Sequence, residues 1–330
     1  MTAVSRRGVY YGKQGAVGSS VVVDTNIRAN CSLKPTATKV QPEENIGQHG
    51  PNRHYISNIM AEGSLTMDSA VYEQILIPLW LAMGSVSPTG GPDYIWAFTL
   101  PFRTDAISLI SPLTMEYIDS GPSNGGGDGG GTYVVRLVDA FATGLTISGN
   151  APEGWKVEAE LSGRVIDLPD SLSGNPEPDQ TVTPIKMGET TLAVDALYAN
   201  IGDTAVTEFI SFTWKLEDNY HSKQFAGSMY PNGWGTGRWK TSLELVLEVS
   251  AAAAQAFADA VLTTSLYAVR VKGYASASDN CNIDGMYYVD GVDTLDDRDG
   301  NNIIKVSLLG VIDTLGNAGV VTVITDVADL

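Results

Sequence analysis

Residues 155–161 read WKVEAEL, and this strict alternation of apolar and charged side chains predicts a β-strand. The apolar set is Trp155, Val157, Ala159 and Leu161, and the charged set is Lys156, Glu158 and Glu160. Because successive side chains of a strand point to opposite faces, one set packs on a core and the other meets water. The same alternation recurs at residues 209–216, 242–249, 266–273, 303–309 and 320–324. The chain is therefore predicted to be mainly β, with half-buried antiparallel strands.

The segments between these strands are long and rich in Gly, Pro, Asn and Asp. They are residues 28–54, 119–131, 168–184, 217–238 and 275–302. Unstructured connections beyond about 12 to 15 residues are uncommon inside a compact domain, and they usually form a site or order against a partner. Segment 168–184 has the lowest apolar content and is predicted to be a linker. It separates a first domain, 1–167, with an N-terminal arm and a long loop, from a second domain, 185–330.

Two segments predict helices, each directly after a strand. They read SAVYEQILIPLWLAM at 69–83 and SAAAAQAFADAVL at 250–262. A polar side chain before each helix can accept hydrogen bonds from the free N–H groups of the first turn. The expected N-caps are Asp68 or Ser69 and Ser250. Pro78 should end or kink the earlier helix.

Both halves then have the same predicted order: strand, long loop, strand, helix, strand, Gly- and Asp-rich loop and two closing strands. The expected strands of the first half are about 17–27, 55–67, 94–102, 133–148 and 154–166, with an extra strand near 107–118. Those of the second half are about 206–216, 239–249, 266–274, 303–312 and 318–327. This order predicts an internal duplication, with two tandem β-sandwich or rolled-sheet domains that each carry one sheet-covering helix.

The balance of charge argues against a nucleic-acid-binding protein. The 330 residues carry a formal net charge of −18, whereas binding to phosphates needs clustered Lys and Arg. No stretch approaches the roughly 18 apolar residues of a membrane span, and the basic N-terminus lacks the apolar run of a signal peptide. Cys31 and Cys281 are expected to be free thiols in a reducing cytoplasm.

Candidate catalytic and metal-binding motifs are weak. His49, His54 and His221 are expected to be exposed loop residues, because their spacing fits no zinc motif. The GGGDGGG loop at 125–131 lacks the Lys of a phosphate-binding loop, and no nucleophile has an identifiable base. The acidic cluster at 293–300 does not fit an EF-hand, although a cation site built with other loops stays an alternative. We therefore predict no catalytic residue, no metal and no cofactor.

The aromatic residues of MYPNGWGTGRW, at 229–239, allow two interpretations. They could form a sugar-binding platform, or they could anchor a neighbouring subunit, because Trp, Tyr and Arg are enriched at interface hot spots. The residues predicted to lie in intersubunit loops are His49, His54, Asn124, Asp128, Tyr230, Trp234, Arg238 and Trp239.

Several segments, taken together and in order, resemble the tail tube (major tail) proteins of long-tailed bacteriophages. In the first half they are NIMAEGSLTM (58–67), SPLTMEYID (111–119), YVVRLVDAFATGLTIS (133–148) and WKVEAELSG (155–163). In the second half they are TEFISFTWKLEDNY (207–220) and GRWKTSLELVLEV (237–249). The resemblance spans roughly residues 55–275.

The resemblance implies rings of this chain that stack head to tail into a hollow tube, through which genomic DNA passes without specific binding. In that family, the sheets of neighbouring copies join around the lumen, and long loops and arms bind the next ring. Six similar domains per ring would make a two-domain subunit close as a trimer with pseudo-sixfold symmetry, and a hexamer is the alternative. The candidate lumen-facing residues are Glu158, Glu160, Glu244 and Glu248.

The implied protein is a structural, non-enzymatic virion component that is assembled in the host cytoplasm. Its further partners would be tail terminator and tail tip proteins, and no membrane is involved. Strands with one wet face suit a water-filled lumen, closure of a barrel removes exposed sheet edges, and an acidic wall repels DNA. The alternative is a β-sandwich module that binds carbohydrate or a host surface.

Overall fold

The structure is a computed structural model that describes residues 6–42, 53–100, 110–120, 132–177, 181–249, 252–298 and 301–330. Its strands make up 57% of the chain and its helices 7%, in a large antiparallel sheet. These proportions confirm the prediction of a mainly β fold with few helices.

The first half of the chain is organised around one long strand, β8. Its elements are β1 (Arg6–Lys13), β2 (Thr25–Ile27), β3 (Asn30–Val40), β4 (Tyr55–Met67), α1 (Leu76–Met83), β5 (Thr89–Gly90), β6 (Tyr94–Thr99), β7 (Leu113–Ser120), β8 (Thr132–Asn150), β9 (Trp155–Gly163) and β10 (Val165–Asp167). The first part of β8 pairs with β7 on one edge and β10 on the other, and its second part pairs with β9. From β9 the sheet continues to β4 and β3, and from β7 it continues to β1 and β2.

The second half is organised around another long strand, β18. Its elements are β11 (Thr190–Asp195), β12 (Ala205–Val206), β13 (Phe209–Glu217), β14 (Tyr220–Lys223), β15 (Gly233–Thr236), β16 (Lys240–Glu248), α2 (Ala252–Ala260), β17 (Leu266–Tyr274), β18 (Asn280–Arg298), β19 (Asn301–Gly310) and β20 (Gly319–Thr325). The first part of β18 pairs with β17 and β20, and its second part pairs with β19. From β19 the sheet continues to β16 and β13, and from β17 it continues to β11 and β12.

The two halves therefore share one pattern of strand pairing. Strand β18 takes the place of β8, the β19–β16–β13 series takes that of β9–β4–β3, and the β17–β11–β12 series takes that of β7–β1–β2. The helix follows β4 in one half and its equivalent β16 in the other. The first half adds β5 and β6.

The equivalence extends to single residues. The β8–β9 ladder slips by one residue between Ala142 and Gly144, and the β18–β19 ladder slips between Val289 and Gly291. When these slips are aligned, β8 from Ala140 onward corresponds to β18 from Tyr287 onward, because Ala142 faces Leu161 as Val289 faces Leu308. Before that point β8 contains one extra residue, at the slip of its ladder with β7.

A cross-strand ion pair marks the same place in both halves with its charges exchanged. Arg136 of β8 binds Glu116 of β7 at 2.6 Å, and Asp284 of β18 binds Arg270 of β17 at 2.7 Å. Both carboxylates are almost fully buried, so each needs its guanidinium partner to offset the loss of water. Hydrogen bonding to Asp284 raises the pKa of Arg270 further.

Several predicted strand boundaries were wrong. Segment 275–302, expected to be a loop, is mostly strand β18, and segment 28–54 contains β3. The extra strand of the first half is β6 and not the strand near 107–118, whose described part is β7, the equivalent of β17. Asn, Asp and Gly lower the β propensity of β18, but pairing on both edges along its first part overrides that preference.

Both helices are shorter than predicted. Helix α1 begins at Leu76 instead of residue 69, and its N-cap is Ile75, which makes no side-chain cap hydrogen bond. Pro78 therefore lies in the first turn, where its missing N–H has no intrahelical partner to lose, and it does not end the helix. Helix α2 spans Ala252–Ala260, and its expected N-cap, Ser250, lies outside the described residues.

One hydrophobic core runs through both halves, from Leu161 and Leu145 to Leu245 and Val306. The predicted linker packs on the first half where it is described: Ser173 N–H donates to Glu116 at 2.8 Å, and Thr183 N–H donates to Glu73 at 2.9 Å. The division into domains 1–167 and 185–330 stays a prediction. No helix among the described residues is long and apolar enough to cross a membrane.

Candidate functional site

A continuous sheet face carries the four glutamates that the sequence singled out. The face belongs to the series β4, β9, β8, β13, β16 and β19, whose other face supplies Val157, Leu161, Leu243 and Leu245 to the core. Glu158 and Glu160 alternate with buried residues of β9 and are exposed, and Glu244 and Glu248 alternate with buried residues of β16 and are half-buried. The structure therefore brings all four onto the same side of one sheet.

Lysines interrupt this acidic face. Lys305 on β19 lies 2.9 Å from Glu244, and hydrogen bonding to that carboxylate raises the pKa of Lys305. Lys156 lies 2.8 Å from Glu153 at the turn that precedes β9. Such exposed pairs contribute little to stability, so their main effect is on the field above the sheet.

The two halves meet edge to edge where β8 pairs with β13. This internal joint runs from Leu145 opposite Leu216 to Asn150 opposite Ser211, in regular antiparallel register. Because β13 is the equivalent of β3, the joint attaches the outer strand of one half to the long strand of the other.

The β14–β15 hairpin extends beyond this joint and packs on the first half. Its Tyr220 and Trp234 both pack against Phe141 of β8, with ring centroids 6.4 Å apart in each case. Ser222 and Ser162 share a hydrogen bond of 2.7 Å between the hairpin and β9. Burial raises the pKa of Tyr220 to about 12, so the phenol stays neutral where the hairpin packs on β8.

Asn219 fastens the base of the hairpin to the first half. Its side-chain Nδ2 donates to Ala82 O of helix α1 at 2.7 Å and to Ala142 O of β8 at 3.0 Å. Asn219 is fully buried, and every residue of α1 is buried. In the other half, Leu262 directly beyond α2 is 91% exposed.

Two sheet edges stay open at opposite ends of this arrangement. Among the described residues, no strand but β4 pairs with β3. In the same part of the chain, β19 occupies one edge of β18 beyond Val289, and the other edge has no partner there. These open edges are the equivalents of the β13 and β8 edges that meet in the internal joint.

A cavity of about 530 Å³ lies where the second half has no covering hairpin. Its lining includes Tyr288 and Leu309, the equivalents of Phe141 and Ser162, and also Arg238 and Trp239. Trp239 Nε1 is buried and has no hydrogen-bond partner among the described residues. An unsatisfied buried N–H is uncommon in folded proteins and indicates that an acceptor is missing.

The remaining predicted interface residues fall into three groups. Trp234 and Trp239 are half-buried in packing within the chain, the latter against Tyr220 at 5.5 Å, and Tyr230 is half-buried. Arg238 and His54 are exposed. His49, Asn124 and Asp128 lie outside the described residues.

The described part of the chain contains both cysteines and most of the acidic cluster at 293–300. No group of three His, Cys, Asp or Glu side chains there could hold a metal ion. Residues 293–298 of the acidic cluster lie along the end of β18 and pair with β19, which is not the geometry of a calcium-binding loop, and residues 299–300 lie outside the described residues. Burial raises the pKa of the Cys281 thiol, which disfavours the reactive thiolate.

Sequence reasoning missed the open edge of β18 and the cavity beside it. A signal for both was present in two short internal matches. LSGRVID at 161–167 corresponds to LLGVID at 308–313, and FATGL at 141–145 corresponds to YVDGV at 288–292. These matches identify the equivalent strands that element order alone had misaligned.

Comparisons with known proteins give no family assignment. A scan against protein-family models produces no match. A search of curated protein sequences produces no significant match.

Proposed function

We propose that this chain is a structural protein that polymerises as stacked rings into the hollow tail tube of a long-tailed bacteriophage. The observation that carries the proposal is the repeated strand pairing. The β13 edge of one half pairs with the β8 edge of the other, and within the described residues the equivalent edges of β3 and β18 stay open at the two ends of the chain's sheet. A unit of this kind can add to itself head to tail, and a closed ring leaves none of these edges exposed.

The acidic sheet face supports a role as the wall of a channel. If the sheets continue from copy to copy, Glu158, Glu160, Glu244 and Glu248 share one side of the resulting barrel. A wall of like charge keeps a DNA duplex from adhering during passage. The net charge of −18 is consistent with this role.

Two equivalent halves favour a trimeric ring with pseudo-sixfold symmetry. Three chains would then supply three internal joints and three joints between chains, all of one kind. A hexamer would need the same joints to curve half as much. Tail terminator and tail tip proteins would cap the two ends of the tube in the virion.

Negative-stain electron microscopy of the purified chain tests the proposal. Hollow tubes or stacked rings of uniform diameter are the expected result, with threefold or pseudo-sixfold ring averages. A protein that stays monomeric at high concentration, by microscopy and by light scattering, would overturn it. A ring average of six identical subunits would overturn the trimer alone.

A further inference from the structure

We propose that the open edge of β18 and the cavity beside Tyr288 receive the β3–β4 hairpin of a second copy of this chain. The joint between copies would repeat the internal joint between β8 and β13. The inference rests on the proposed function only in requiring that copies assemble head to tail.

The internal joint fixes the register of the proposed one. In the first half, Leu33 of β3 faces Gly63 of β4, which faces Leu161 of β9. In the second half, Trp214 of β13 faces Leu243 of β16, which faces Leu308 of β19. Because Leu161 and Leu308 are equivalent, Leu33 corresponds to Trp214. The internal pairs Leu216 with Leu145 and Lys215 with Thr146 can then be transferred directly. They place Pro35 of the neighbouring copy opposite Val292, and its Lys34 opposite Asp293.

The charges at this register are complementary. Lys34 and Asp293 are both exposed on the free chain, and each lies on the polar side of its strand. Asp293 faces Lys305 on its other side, and Lys305 pairs with Glu244. A lysine from the neighbouring copy would extend this row of alternating charges, and opposite charges on facing strands stabilise a sheet.

The β3–β4 hairpin continues past its sheet as the β13–β16 hairpin does. From Thr36 to Val40, β3 pairs with β4 residues that β9 does not reach. The register of β3 and β4 slips after Thr38, at the position where β13 ends and β14 begins in the second half. The facing pair Lys39 and Ile56 therefore corresponds to the facing pair Tyr220 and Thr236. The protruding arm, residues 36–40 and 54–60, is therefore the equivalent of the β14–β15 hairpin.

The arm has the composition of a docking element. Ile56 is 40% exposed and lies on the same face of the arm as His54, two residues earlier, and as Lys39, its cross-strand partner. Tyr55, which is 53% exposed, lies on the other face. The transferred geometry places His54 of the neighbouring copy over Tyr288, where Trp234 lies over Phe141. Its Lys39 takes the place of Tyr220 beside the same ring, where an ammonium can bind the aromatic face.

Trp239 in the cavity lies at the position where the equivalent residue of the first half binds the β14–β15 hairpin. Trp239 corresponds to Ile59, and Ile59 N–H donates to Met229 O of the β14–β15 loop at 2.8 Å. In the joint between copies, the neighbouring arm would approach Trp239 in the same way. It can supply the acceptor that the Trp239 Nε1 group lacks.

Disulfide trapping in the full chain tests the register. The variant carries Lys34→Cys and Asp293→Cys, with Cys31→Ser to remove the native thiol of β3, while the fully buried Cys281 is left in place. Facing residues of antiparallel strands have Cα atoms roughly 4.5 to 5.5 Å apart, which suits a disulfide. Mild oxidation should convert most of the protein to covalent oligomers in a denaturing gel.

Two control variants make the result specific. Thr146→Cys with Lys215→Cys should close the internal joint and leave the chain at monomer mass. The variant with Lys34→Cys and Ser307→Cys moves one cysteine to the next strand. Its cross-linked fraction should be at least tenfold lower than that of the variant with Lys34→Cys and Asp293→Cys.

The outcomes separate this inference from the proposed function. Tubes without cross-linking at Lys34 and Asp293 would overturn the joint and leave the proposed function intact. Covalent oligomers in a protein that never forms rings or tubes would uphold the joint and overturn the function. Cross-linking confined to monomer mass would show that the pair meets within one chain and would also overturn the joint.

Discussion

Phe141 and Tyr288 occupy equivalent positions in the two halves of the chain, but Phe141 is 2% exposed and Tyr288 is 39% exposed. The difference has a local cause. Tyr220 and Trp234 of the β14–β15 hairpin cover Phe141, whereas Tyr288 borders an open cavity. One chain thus contains both a completed joint and the uncovered surface from which a second one can be built.

Replacement of Tyr288 by glutamate should impair assembly while leaving the monomer folded. A carboxylate in the cavity would lose its water when the neighbouring arm docks, a cost that central interface positions do not tolerate. We expect the concentration needed for half-assembly to rise roughly tenfold or more by light scattering. Tyr274→Glu is the matched control, because Tyr274 is 44% exposed on β17 and does not line the cavity. Equal effects of the two substitutions would count against a role for the cavity.

Reversal of the charge at Lys34 should weaken assembly in a salt-dependent way. Lys34→Glu would place two carboxylates opposite each other in the joint, which should raise the half-assembly concentration about two- to fivefold at low salt. Asp293→Asn in the same chain should remove the part of that difference that arises in the joint, whereas the repulsion from Glu62, which faces residue 34 on β4 of its own chain, stays in both variants. If the double variant assembles no better than Lys34→Glu, the two residues do not face each other.

Removal of the Asn219 side chain should loosen the internal joint. Asn219→Ala would leave Ala82 O and Ala142 O without the buried donor that they share, at a cost of about 1 to 3 kcal/mol in the free energy of unfolding. Denaturant unfolding measures this loss. Asn200→Ala, at an exposed turn, should change stability by less than about 0.5 kcal/mol. A loss at Asn219 no larger than at Asn200 would contradict the anchoring role.

Glu73 should make the stability of the fold depend on pH. Burial raises its pKa above the ordinary value of 4.5, although Thr183 N–H donates to both carboxylate oxygens and opposes the shift. A group with a raised folded-state pKa contributes stability that is present at low pH and is lost as pH rises through that pKa. Glu73→Gln should therefore flatten the decrease in unfolding free energy that begins near pH 4.5. Identical pH profiles of the two proteins would refute the assignment.

How much of this molecule could be predicted from the sequence depended on whether local patterning decided the structure. The strand at Trp155 was predictable because its alternation reflects one buried and one wet face. Strand β18 was not, because its Asn, Asp and Gly residues are typical of turns and only pairing with distant strands makes them extended. The candidate site was missed for the same reason: Tyr288 and Lys34 acquire a role only through the three-dimensional equivalence of the halves. The glutamates of the polar face were found because they lie within the alternating strands.

Reversal of charge on the polar sheet face should turn assembled tubes into a DNA-binding surface. Glu158, Glu160, Glu244 and Glu248 share that face, so their replacement by lysine would attract phosphates along the whole wall. Tubes of this variant should retain duplex DNA at low salt and release it as salt rises, because bound phosphates exchange for counterions. Asp170, Glu177, Asp203 and Asp326 are exposed elsewhere, and their replacement by lysine gives a control of equal charge. If that control retains DNA just as well after nuclease removes all DNA outside the tubes, the polar face does not line the channel.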